Sequence, residues 1–169
     1  MAIVGALAAA VAAALLARSE FRRNQRVKAY SDFVQAFVGV VNSGANLATA
    51  NTVHGFDKMQ TDPEFKLLWS NWAQAHEEYQ AARARLELVS SRKTGKAAEE
   101  AHEFFVANIL SAPPFVPDAD LHRAGEFAKQ GPGPVARELS TVVGEFTAVA
   151  RGDLVGRAKS RQERVTPTR

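Results

Sequence analysis

The sequence predicts an all-α protein: an N-terminal transmembrane helix continuous with a cytosolic antiparallel helical bundle of four to five helices. Three observations carry this. Residues Ala2 to Ala17 hold no charged or strongly polar side chain, and five basic residues follow at once. The rest of the chain places apolar residues at spacings of three and four, the period of a helix with one buried face. No segment alternates polar and apolar residues for long enough to make a strand.

Sixteen residues make about 24 Å of helix, against a bilayer core about 30 Å thick. The run is short and alanine-rich. Ile3, Val4, Leu7, Val11, Leu15 and Leu16 supply most of its apolarity. A cleaved signal peptide would begin with a basic stretch, and only the α-amino group of Met1 precedes this run. A surface helix of a soluble core would carry a polar stripe, and this run has none. Residues 1–17 are therefore expected to be a membrane anchor. Arg18, Arg22, Arg23, Arg26 and Lys28 all lie C-terminal to it. The positive-inside rule then puts the N-terminus outside and the C-terminal domain in the cytoplasm at the inner membrane. The same five residues, in the basic part 18–30, are the expected contacts to anionic lipid headgroups.

The bundle is expected over 18–156. No breaker separates Ala17 from Val27, so span and first cytosolic helix should be continuous, fraying near Asn51 to Gly55. Val27, Tyr30, Val34, Phe37, Val41 and Ala48 mark its buried stripe, which Phe33, Val40 and Leu47 widen. Gly39 and Gly44 interrupt this helix at a cost, allowing either close contact or mere tolerance. Thr61-Asp62-Pro63-Glu64 starts the second helix: a capping side chain, a proline for the first turn and an acid at the positive dipole end. Trp69 and Trp72 fall on it and are core residues or a partner surface. Ser90 to Gly95 reads as a polar turn, Lys96 to Leu110 as a third helix and Ser111 to Pro117 as a proline-rich break. Asp118 can cap a short helix over 119–129, and Pro134 opens a last one. Residues 157–169 read as a basic disordered tail.

Charge is unevenly laid out behind a net +3. Residues 1–30 carry five basic and one acidic side chain, 31–150 ten and fifteen, and 151–169 six and two. That pattern speaks against one continuous nucleic-acid surface and for a body flanked by segments that meet an anionic surface.

Catalytic chemistry finds little support. The absence of cysteine removes disulfides, thiolate zinc sites and thiol nucleophiles. His54, His76, His102 and His122 are far apart in sequence, and neither His76-Glu77 nor His102-Glu103 has the second histidine of a zinc-protease helix. Glu99 and His102 form a single Glu-x-x-His pair, where di-iron bundles use two. Thr94-Gly95-Lys96 looks like the end of a phosphate loop but lacks its leading glycine, its following Ser or Thr, and a preceding strand. Glu77/Glu78 and Glu99/Glu100 are adjacent in sequence and point apart on a helix. No enzyme activity, metal, cofactor or small-molecule substrate is expected.

One resemblance adds to this. The uncharged span, then Arg22-Arg23 and Arg26, then Ala29-Tyr30-Ser31-Asp32-Phe33, resembles a loose group of small single-pass membrane proteins of actinobacterial type. Arg83 to Leu88 and Glu145 to Leu154 are similar to segments of that group, whose members often carry more juxtamembrane arginines. The resemblance implies the same topology and fold and assigns no activity. The expected role is a non-enzymatic membrane protein whose bundle binds a protein partner or itself. Two other readings stand beside it. One is a self-associating pore former or holin-like protein, with Gly5, Ala9 and Ala13 as a small-residue ridge. The other is an exported bundle cleaved near Ala17.

Overall fold

The computed structural model describes residues 2–54, 61–111, 115 and 133–165, with side chains over 17–51, 61–111, 115 and 136–155. Every element among them is helical: α1 (Ala2–His54), α2 (Pro63–Val89), α3 (Arg92–Phe105), which runs into a π-helical turn (Val106–Leu110), and α4 (Gly133–Val165). The helix expected over 119–129 lies outside the described residues.

α1 is one unbroken helix of 53 residues, about 80 Å long. Nothing in its sequence stops it: glycine is tolerated inside a helix at a modest cost, and proline is absent until Pro63. α2 starts as its residues dictate. The Asp62 carboxylate accepts from the Glu64 backbone N–H at 2.9 Å, and Pro63 occupies the first turn. α3 begins four residues before the expected Lys96. Ser91 is its cap, accepting from the Thr94 N–H at 3.3 Å. The polar stretch read as a turn is a cap plus a first turn, and only Ser90 and Ser91 lie outside helix. α4 continues through the segment expected to be disordered, to Val165. Residues 157–164 include several good helix formers, and the next proline is Pro167.

The helices run up, down, up and down. Arg26 of α1 meets Val89 of α2, Phe33 meets Tyr79, and Leu47 clusters with Phe65, so α1 and α2 are antiparallel. Tyr79 packs on Phe105 and Arg83 pairs with Glu99, which reverses direction again into α3. Tyr30 bonds Asp153 while Phe33 packs on Phe146, so α4 is antiparallel to α1. The core is the aromatic stack where the four meet: Phe33, Phe37, Tyr79, Phe105 and Phe146, each almost fully buried. Alanines Ala97, Ala98 and Ala101 let α3 approach closely.

Candidate functional site

Two regions correspond to the residues singled out above. The first is the basic stretch of α1. Arg18, Arg22 and Arg23 are exposed, as is Phe21 between them at 63%. Arg26 is engaged by α2, and Lys28 by a residue of its own helix. The Arg26 Nε–H donates to the Val89 carbonyl at 2.9 Å, satisfying a terminal acceptor of α2 where the helix dipole is negative. Lys28 pairs with Asp32 at 3.0 Å, and Arg85 reaches the same carboxylate at 4.0 Å. Of the five basic residues, Arg26 alone ties α1 to another helix; Lys28 pairs within α1, and Arg18, Arg22 and Arg23 stand exposed. Among the described residues no helix is long and apolar enough to cross a membrane. The side chains of residues 2–16, most of the span expected over 1–17, lie outside that description.

The second region is an aromatic file at the other end of the bundle. Trp69 and Trp72 lie 5.4 Å apart, centroid to centroid, and Phe115 packs on both at 6.2 and 4.5 Å. Phe115 is unexpected here, because the proline-rich segment that carries it has no helical period. Trp72 is half-buried against Leu47 and Phe65, whereas Trp69 is 41% exposed. Behind them His76 stacks between Trp72 and Phe105 at 5.2 and 6.2 Å. Gly44 of α1 faces Trp72 and the Ile109 methyl so closely that no side chain fits there, whereas Gly39 faces open space. The π-helical turn supplies Ile109. It closes through the Ser111 N–H to the Val106 carbonyl, 3.0 Å, five residues back. The Trp72 indole N–H is buried without an acceptor among the described residues.

The titratable groups of the core are tied pairwise between helices. The Tyr79 hydroxyl meets His102 Nδ1 at 3.1 Å. Burial pushes the Tyr79 phenol up to about 12 against the pull of the nearby Arg83 guanidinium, and burial together with Arg83 holds His102 below its ordinary value. A protonated phenol therefore faces a neutral imidazole. Arg83 reaches Glu99 at 2.7 Å. Glu99 and His102, the Glu-x-x-His pair, are thus each engaged by a residue of α2. Among the described residues no group of three or more such side chains is placed to hold a metal ion. The Tyr30 phenol donates to the Asp153 carboxylate at 2.6 Å, and burial together with that bond raises its pKa.

No protein-family model matches the chain, and neither curated proteins nor solved structures give a match.

Proposed function

We propose that this chain is a non-enzymatic, single-pass inner-membrane protein. Residues 2–17 cross the bilayer with the N-terminus outside, and the helical bundle binds a protein partner or a second copy on the cytoplasmic side. The observation that carries this reading is the placement of the uncharged run, its flanking arginines and the first bundle helix on one continuous helix. The run falls about 6 Å short of a typical hydrocarbon core. Arg18, Arg22 and Arg23 are exposed around the helix just past it, and long basic side chains extend to headgroups while their helix sits deeper. Trp69, with its indole face partly open beside Trp72 and Phe115, is the candidate partner contact.

Fractionation of lysed cells tests the anchor. The intact chain is expected in the pellet after ultracentrifugation and to stay there through an alkaline carbonate wash. Recovery in the supernatant, or a mature chain beginning past Ala17, would overturn the reading. Added protease should cut the bundle in inverted vesicles and spare it in intact spheroplasts. For the partner surface, Trp69→Ala is expected to abolish one crosslinked product, to protein or to a second copy, while leaving helix content unchanged.

A further inference from the structure

The basic–acidic–basic layout of the sequence is not the layout of the fold. Because α4 is antiparallel to α1, the two basic terminal segments lie at the same end of the bundle. Asp153 sits beside Tyr30. From there α4 continues twelve residues to Val165, the same number that separates Tyr30 from Arg18. Over that distance, about 18 Å, α4 carries Arg157, Lys159, Arg161 and Arg164 against one acid, Glu163. The α2–α3 corner joins the same end, since Val89 is held by Arg26. Arg92 and Lys93 there are exposed, in a first turn that contains no acidic residue.

Exposed apolar side chains gather at this end as well. Leu88 is 86% exposed, the most open of the large apolar residues described, and Phe21, Val27 and Val155 are also exposed. They come from three helices. Exposed apolar side chains set among basic ones are the ingredients of a surface that binds anionic lipid.

We propose that this end of the bundle is a lipid-docking collar, and that electrostatic attraction draws the α2–α3 corner at Leu88, Arg92 and Lys93 down onto an anionic bilayer. The inference builds on the membrane span proposed above. The Arg26–Val89 bond places the corner nine residues beyond Ala17, about 14 Å for an upright helix. Headgroups cover about 5–8 Å of that. The remaining gap is about one Debye length at physiological ionic strength. It narrows further for a span tilted by the usual ~20°. A basic excess that outweighs Glu20, Glu87 and Glu163, continuity with the anchor and the exposed apolar residues all select a lipid surface as the occupant.

The absence of cysteine gives a clean test. Full-length protein carrying Leu88→Cys, labelled with an environment-sensitive fluorophore, is placed in vesicles of phosphatidylcholine alone or with 30 mol% phosphatidylglycerol. Leu67→Cys, at an exposed site far from the collar, serves as the control. Acrylamide quenching of the probe at 88 is expected to fall at least twofold in anionic vesicles and to recover at high salt. The Arg92→Glu/Lys93→Glu pair should restore quenching while the protein still floats with neutral vesicles; the Leu67 probe should not change. Flotation with quenching at 88 indifferent to lipid charge would overturn the collar and leave the anchor standing. Loss of flotation with neutral vesicles would overturn the anchor. In that case charge-dependent flotation with anionic vesicles, abolished by the double reversal, would still support the collar, and its absence would end it. Displacement of the probe from lipid by single-stranded DNA at equal phosphate would reassign the surface and overturn the proposal.

Discussion

Gly39 and Gly44 lie five residues apart on α1 and face different surroundings. A methyl group at 44 would press on Ile109 and Trp72, side chains packed between helices. Overpacking of this kind costs about 1–3 kcal/mol, which outweighs the ~1 kcal/mol that alanine gains over glycine within a helix. Gly44→Ala is therefore expected to lower the denaturation midpoint, and Gly39→Ala, facing open space, to raise it, through about 0.5–1 kcal/mol of added stability. Paired urea titrations would check both signs. The sequence presented these glycines as equivalents, because what separates them is a residue 65 positions further on. The same scale holds a pH prediction. Tyr30 and Tyr79 are the only tyrosines, and both hold their protons in the folded state beyond the ordinary phenol value. Folded protein binds more protons than unfolded above pH 10, so this stabilisation is complete below pH 10 and declines as pH rises toward about 12. Phenolate absorbance should appear together with loss of helical circular dichroism; a normal titration near 10 with helicity intact would contradict it. His102 gives the opposite edge. Its lowered pKa favours the neutral form, so its contribution is complete above about pH 6.5 and shrinks as pH falls below that. His102→Asn, which keeps an acceptor for Tyr79, should flatten that acidic slope.

Elements were legible where their signals are local. Asp62-Pro63-Glu64 announces α2 because capping, proline and dipole all act within four residues. The apolar period of α1 identified its buried stripe from Tyr30 through Phe37 to Ala48, but Val27, placed on it by the same spacing, is exposed, because it lies near the end of α1's contact with α2. α3 was placed late because its cap, Ser91, stands in a run of polar residues that reads equally as a turn. Thr94, within that run, is completely buried, and nothing in a single sequence distinguishes it from an exposed threonine. Two substitutions probe this start. Ser91→Ala removes the acceptor for the Thr94 N–H and is expected to cost about 1 kcal/mol. Arg92→Glu or Lys93→Glu should instead stabilise α3 slightly, by about 0.3–0.5 kcal/mol each, because a basic first turn opposes the helix dipole. Thermal melts at low salt would show the two effects with opposite signs. A rise in stability from the charge reversals also separates any loss of lipid contact from misfolding.

At the scale of the whole molecule, α4 is joined to α1 through Tyr30 and Phe146 and to α3 through the alanine face. Tyr30→Phe keeps the ring packing and removes the bond to Asp153. It is expected to cost about 1 kcal/mol and to quicken amide exchange in α4 more than in α2. The all-helical composition of the described residues was readable from apolar spacing alone. The return of α4 to the N-terminal end was not, because loop direction and helix pairing depend on contacts more than a hundred residues apart, such as Tyr30 with Asp153. The aromatic file was partly legible. Trp69, Trp72 and His76 share one helix at helical spacing, whereas Phe115, which completes the file, comes from a proline-rich segment with no period.

The unbroken course of α1 has a mechanical consequence. With residues 2–17 in a bilayer, the helix acts as a lever whose short arm is embedded and whose long arm runs through the bundle to His54. Gly44, beside Trp72, lies 27 residues beyond Ala17, about 40 Å along the axis. A 10° change in inclination, well within the range that transmembrane helices adopt as membrane thickness varies, would swing the tryptophans by about 7 Å. Local bilayer thinning would thus be converted into sideways travel of the tryptophan-bearing end of the bundle.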